Sequence, residues 1–404
     1  MSEMVSLQDI SVELSDGLHA APIFNPDGEY LFVNANNFVD GKICDIGNGK
    51  RCDKDEYEKN KIELDENTLF YSIDGTIGNV AKYYGEKCVL GKGACYIRLK
   101  PEINRDYIYY LLQSDYFRAY IKSMQTGSTI HHISLETMRN FHFLMPDRII
   151  QDNISALLSQ IDSKILLNND ICKNIESLAK EIYDYWFVQF DFPDENGRPY
   201  KSSGGKMVWS EELNREIPEG WEVKPLSDIF NITMGSSPIG ESLNDSGDGI
   251  EFYQGSTDFG SLYPSIRMFT TKPVRLAKAQ DVLLSVRAPV GAMNIAMNDC
   301  CIGRGLAAIH HNSTLYAWNT LLNLKHFFDV YNNNGTTFGA LTSDDLKTQL
   351  TVKIPKMILD DYIKKVAAIE KQLRILTEEN RDLTLLRDFL LPMLMNGQIK
   401  IGGL

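Results

Sequence analysis
The chain repeats itself, in order, at a spacing of about 210 residues. Val5-Ser6-Leu7-Gln8-Asp9-Ile10 is answered by Lys224-Pro225-Leu226-Ser227-Asp228-Ile229, and Leu69-Phe70-Tyr71-Ser72-Ile73 by Val282-Leu283-Leu284-Ser285-Val286. Gly91-Lys92-Gly93 matches Gly303-Arg304-Gly305, and Gly127-Ser128-Thr129 matches Gly335-Thr336-Thr337. Each of the last pair precedes a proline, Pro146 or Pro355. Stacked repeats have periods of roughly 20–50 residues. A period this long instead predicts two globular units of one kind, and 404 residues with 43% hydrophobic content suffice for both cores.

Each copy ends in a long helical run. In the first, Ile154, Leu157, Ile161, Lys164, Asn168, Ile171, Ile175, Leu178, Ile182 and Tyr185 follow steps of three and four. In the second, Val366, Ile369, Leu373, Leu376, Asn380, Leu383, Arg387, Leu390 and Leu394 do the same. This spacing lays one helix along another. Asn168 and Asn380 hold equivalent places, 212 residues apart. A buried polar pair at a seam costs stability but fixes register, so the two are expected to face each other in an antiparallel pair; the alternative is that both face solvent. About 35 residues of helix span roughly 50 Å, enough for a spacer.

The segments expected to be globular, 1–148 and 221–356, contain β-rich runs such as Glu29–Val33, Cys95–Leu99 and Gly249–Tyr253. A helical stretch precedes each Gly-Ser/Thr-Thr motif, Tyr107–Met124 and Tyr316–Tyr331, which predicts mixed α/β units with curved sheets. Helices are expected at 149–190 and 357–399. Residues 191–220, with Asp194-Glu195-Asn196-Gly197-Arg198-Pro199 and Ser202-Ser203-Gly204-Gly205, read as an exposed linker.

A formal net charge of −13 disfavours a lone binder driven by phosphate contacts. Its distribution is uneven: −8 over 1–65, +2 over 66–150 and +4 over 262–355. A basic face on an acidic body is one reading, and unpatterned surface charge is the other. No apolar run reaches the roughly 18 residues of a membrane span. Met1–Leu14 lacks the basic lead-in of a signal peptide. Seven sparse cysteines without a CxxC pair suit reduced thiols, and a cytoplasmic location is expected.

The chemistry of an enzyme is hard to find. Asn25-Pro26-Asp27 lacks the proline and aromatic residue of a methyltransferase catalytic motif, and the Gly-x-Gly triplets at 47–49, 91–93 and 303–305 lack a third spaced glycine. No phosphate-binding Gly-x-x-x-x-Gly-Lys-Ser/Thr motif occurs. Asp344-Asp345 fits a helix start, and Asp360-Asp361 a solvated helix face. His131-His132 and His310-His311 have no third ligand at a natural spacing, so no metal is expected.

The units do offer polar groups beside glycines. Ser128, Thr129, Thr336 and Thr337 bring hydroxyls to backbone that can lie close to a phosphate or a groove. Lys92 and Arg304 put a cation between two glycines in both halves. Arg287 stands where the first half has Asp74; arginine reads guanine and aspartate accepts from cytosine, so the exchange fits two different half-sites. The competing reading makes these ordinary turn residues.

At these residues the chain resembles the specificity subunits of type I restriction-modification systems. Ile217-Pro218-Glu219-Gly220-Trp221-Glu222-Val223 with Leu226-Ser227-Asp228-Ile229 is similar to the opening of their recognition domains. Asp281–Gly291 and Cys301–Leu306 resemble mid-domain motifs, Ser72–Gly78 is the first-half version, and Leu391–Ile399 resembles the closing helix end. The resemblance covers nearly the whole chain. It implies two similar target recognition domains separated by two long helices in an antiparallel coiled coil. The chain would be a non-catalytic subunit reading a split, asymmetric double-stranded DNA site. Two methyltransferase subunits and a restriction subunit would be its partners, holding S-adenosylmethionine, ATP and Mg between them, with no cofactor on this chain and no membrane involved. The first half lacks the Pro-Glu-Gly-Trp opening, which leaves the order of its first strand open. Two rival classes are a coiled-coil scaffold without DNA binding and a methyltransferase with a fused recognition region.

Overall fold
The computed structural model describes residues 3–47, 49–124, 132–333 and 340–399. They form two compact units, Met1–Leu166 with Asn380–Leu404, and Leu167–Glu379. Two long helices, Arg148–Tyr183 and Lys356–Met395, each contribute residues to both.

The duplication holds strand by strand in the central sheet. The first unit has a four-stranded antiparallel sheet in the order Ser11–Asp16, Ala94–Leu99, Thr68–Ser72, Val80–Lys82. The second repeats that order with Asn231–Met234, Leu306–His310, Val282–Ser285 and Met293–Ile295. A further sheet in each unit contains one parallel pair: Tyr30–Val33 beside Cys88–Leu90, and Ile250–Tyr253 beside Cys300–Ile302. Every residue of Thr68–Ser72 and Val282–Ser285 is buried, because both faces of these central strands are covered. Alternation then sends Leu69 and Tyr71 into one core and Phe70 into another; Val282 and Leu284 part from Leu283 in the same way.

The first strand is ordered without a Pro-Glu-Gly-Trp opening. Glu3–Ser6 pairs antiparallel with His142–Met145, as Glu222–Pro225 pairs with Leu350–Lys353. Ser6 and Asp9 bind reciprocally: the Ser6 N–H and hydroxyl donate to Asp9 Oδ2 (2.8 and 2.7 Å), and the Asp9 N–H donates to Ser6 Oγ (3.1 Å). Where Ser6 stands, the second unit has Pro225, whose fixed φ prepares the turn Leu226–Asp228 without that network.

Within each unit the long helices run antiparallel. In the first, Asp162 meets Arg387 and the Ile165 carbonyl accepts from Asn380, while Ile154 and Leu158 share a core with Leu391 and Leu394. In the second, Asn168 meets Glu379 and the Tyr183 and Tyr362 rings lie 6.1 Å apart. The second helix ends on Gly397 (φ +67°), whose N–H donates to the Leu394 carbonyl while that of Gln398 reaches Met393.

Two local readings need correction. Tyr107–Met124 and Tyr316–Tyr331 each hold two helices: Arg105–Leu111 and Asp115–Met124, then Thr314–Leu322 and Lys325–Asn333. Ser114 makes the first break, accepting from the Phe117 N–H while donating to the Leu111 carbonyl. Beyond Asn168, the first helix and the turn Asp184–Val188 that continues it bury Cys172, Ala179, Tyr183 and Trp186, leaving Leu178 46% and Tyr185 40% exposed. The stripe keeps its steps of three and four but leads with the next residue, while Ile171, Ile175 and Ile182 pack half-buried against the same core. Finally, the mostly exposed segment 191–220 carries structure of its own. Asp194 closes a turn by accepting from the Asn196 and Arg198 N–H groups, and Phe192 stacks on Tyr200 and Trp221. A hairpin of Met207–Ser210 and Arg215–Pro218 then buries Ile217.

Candidate nucleic-acid interface
One backbone bond organises the candidate site in each unit. The Ile73 N–H donates to the Gly93 carbonyl (3.0 Å), and the Val286 N–H to that of Gly305 (2.9 Å). These bonds bring the residue after Ile73 or Val286 close to the glycine-flanked cation. Asp74 thus neighbours Lys92, with a bridge to His132, and Arg287 neighbours Arg304. On the other side, Ile133 donates to Ile73, and Leu341 to Val286.

In the first unit these residues line an open cleft of about 580 Å³ with Leu18, His19, Asn34, Asn36 and Thr76. Its lip is polar and mutually bonded: Thr76 Oγ1 donates to Asn36 Oδ1 (3.0 Å), His19 Nε2 lies 3.0 Å from Asp16, and the Gly75 N–H donates to Asp74 (2.9 Å). Lys92, Arg304 and Arg287 are exposed, and none forms an ion pair among the described residues. An unpaired cation on bare glycine backbone can approach a phosphate without first breaking a bond.

The glycines are needed for more than one approach. A Cβ on Gly91 would stand 2.3 Å from Asn34 Oδ1, and one on Gly303 2.6 Å from Gln254 Oε1. Asn34 follows strand Tyr30–Val33 and Gln254 follows Ile250–Tyr253, so the two occupy one place in the duplicated fold. In the second unit, Ser237 joins them: its hydroxyl donates to Gln254 Oε1 (2.9 Å) and accepts from the Arg304 N–H (3.4 Å). Asn34, Gln254 and Ser237 were missed by sequence reasoning. The only signal was their position just beyond recognisable β-rich runs, or two residues after Gly235.

Ser128, Thr129, Thr336 and Thr337 lie outside the described residues, as does His131. Asn168 is fully buried and donates to Glu379 (2.7 Å); half-buried Asn380 donates to the Ile165 carbonyl (3.4 Å). The other polar candidates have structural partners. His310 Nδ1 lies 2.6 Å from Asp281, whereas His311 packs between Phe230 and Tyr316, and burial lowers its pKa. Asp345 forms a reciprocal cap with Thr342. Burial pushes the Cys88 thiol up to about 12, far from a reactive thiolate. Among the described residues there is no group of three metal-ligating side chains and no helix long and apolar enough to cross a membrane.

The family model described as type I restriction modification DNA specificity domain matches residues 3–177 and again 218–378, one copy for each half. A chain named as the type I restriction enzyme MjaX specificity subunit of Methanocaldococcus jannaschii is 29% identical over 99% of this chain and 94% of that one. The HindI specificity subunit of Haemophilus influenzae is 22% identical over 98% of each chain. The solved type I restriction-modification S subunit from M. genitalium is 18% identical and superimposes with a TM-score of 0.57 over 100% of this chain and 97% of that one, a likeness of fold. With two matches that together span most of its length, the chain belongs to the type I restriction-modification DNA specificity family.

Proposed function
We propose that this chain is the DNA-reading subunit of a type I restriction-modification complex and performs no chemistry itself. Each globular part reads one half of a split, asymmetric site in double-stranded DNA. The long helices set the gap between the halves and dock two methyltransferase subunits, which a restriction subunit joins. S-adenosylmethionine, ATP and Mg are held by those partners, and the assembly works in the cytoplasm.

The observation that carries this reading is the paired anchor at Gly93 and Gly305. One backbone bond, conserved through the duplication, presents a cation both times but Asp74 in one unit and Arg287 in the other. A shared cation suits the phosphate backbone, which is alike at every sequence; an exchanged side chain suits base edges, which differ between half-sites.

The test is methylation of a randomised-site duplex library by the full chain assembled with a type I modification subunit and S-adenosylmethionine. The expected product is one bipartite sequence whose two unlike parts are separated by a fixed number of unspecified bases. Modification without sequence preference, or methyl transfer by the partner-free chain, would overturn the proposal.

A further inference from the structure
We propose that Asn34 and Gln254 are specificity-determining residues, each reading a base pair that contains adenine in the half-site of its own unit. This rests on the DNA-reading role above and names residues within it. In the parallel pairs, Val33 is registered with Leu90 and Tyr253 with Ile302. The next residues, Asn34 and Gln254, therefore stand opposite Gly91 and Gly303, one step before the cations Lys92 and Arg304. Both amides are exposed there, just beyond the carboxyl ends of the paired strands.

The chemistry of the position is retained although the residue differs. Asparagine and glutamine both carry a carbonyl acceptor and an NH2 donor on one planar group, the pattern that matches adenine N6 and N7 in the major groove. Each amide lies against a glycine that has no room for a Cβ beside it, so the backbone is kept bare to admit it. The adjoining turn is closed through the Asn34 backbone: Asn37 Oδ1 accepts from the Asn34 N–H (2.9 Å), and the Asn37 N–H donates to the Asn34 carbonyl (2.9 Å). In the second unit the Ser237 hydroxyl holds the Gln254 carbonyl oxygen, leaving one lone pair and both N–H donors of the amide for a base. Ser237 is thus a positioning residue. In the first unit His19 lines the cleft with Asn34, Asp74 and Lys92.

The library experiment with the assembled complex tests this. Gln254→Ala relaxes discrimination at one position of one half-site by about 5- to 100-fold and leaves the other half-site unchanged; Asn34→Ala does the same in the opposite half. Gln254→Glu and Asn34→Asp, nearly isosteric but acceptor-only, shift preference at those positions toward cytosine, an outcome a packing role does not produce. The acidic variants carry the test if an alanine variant fails to fold. Unchanged preference in the variants, or uniform loss across all sequences with an unaltered thermal transition, overturns the assignment. A wild-type complex with no bipartite preference would instead sink the DNA-reading role, and this inference with it.

Discussion
Arg387 Nη1 lies 3.1 Å from Asp162 Oδ1, joining residues 225 positions apart on the two long helices. The other Asp162 oxygen accepts from the Tyr110 hydroxyl (2.7 Å), so one carboxylate ties both helices to the tyrosine-rich helix of the first unit. Both ionic partners are partly solvated, which limits what their attraction contributes. Replacing Asp162 with alanine should nonetheless cost about 1–2 kcal/mol, because the Tyr110 hydroxyl and the guanidinium both lose an acceptor. Chemical denaturation measures this, and the Asp162→Ala/Arg387→Ala double variant should lose less than the sum of the single losses.

Gly235 and Gly17 should tolerate no side chain. A Cβ would stand 2.1 Å from the Gly303 carbonyl oxygen in one case and 2.2 Å from that of Leu90 in the other, and backbone cannot move aside as a side chain can. Gly235→Ala and Gly17→Ala are each expected to lower stability by roughly 1–3 kcal/mol. Gly240→Ala, with nothing within 4 Å, is the matched control and should change stability by less than about 0.5 kcal/mol. Thermal melting of the three variants decides.

His311 should make stability pH-dependent below neutrality. Burial lowers its pKa from 6.5, and its Nδ1 accepts from the Ser313 N–H (3.1 Å), a bond that needs the neutral ring. Well above 6.5 the ring is neutral whether the chain is folded or not. As pH falls through that value the unfolded chain takes up a proton that the folded chain resists, so stability declines. Denaturation midpoints between about pH 7 and 5.5 should fall for the wild type and flatten in His311→Phe.

Arg304 and Arg287 should separate affinity from sequence choice. Arg304→Ala is expected to weaken binding to all sequences alike and reduce the salt slope by about one unit. Arg287→Ala should cost about 1–3 kcal/mol on the preferred site and relax one base. Binding of the assembled complex to preferred and scrambled duplexes across a salt series reads both. Reversed effects would exchange the two roles, and no effect from either would make both motifs structural.

The duplication, the two helical seams and the central strands were legible in the sequence because each is a one-dimensional pattern. Thr68–Ser72 and Val282–Ser285 are β-rich runs that look alike on the page and occupy the same place in the fold. The second seam also survives intact, with Val366, Leu373, Leu376 and Leu394 buried. Neighbouring residues of similar hydrophobicity are a different matter. Beyond Asn168 the first seam buries Cys172 and Ala179 but also Tyr183 and Trp186, so which of two neighbours faces inward is set by the surface it meets and not by its own hydrophobicity.

The candidate site was half legible for the same reason. Lys92 and Arg304 stood out because a cation recurs between two glycines at one spacing, and Asp74 and Arg287 because unlike side chains fill one place in the repeat. Asn34 and Gln254 did not, since they differ in identity and meet Gly91 and Gly303 only through parallel strand pairing. A parallel pair takes its partner from a distant part of the chain, with no turn between the strands to mark it, so local pattern carries no trace of the contact. Sequence alone determined that there are two alike units and which cations they share; the tertiary structure decided which amides lie beside those cations.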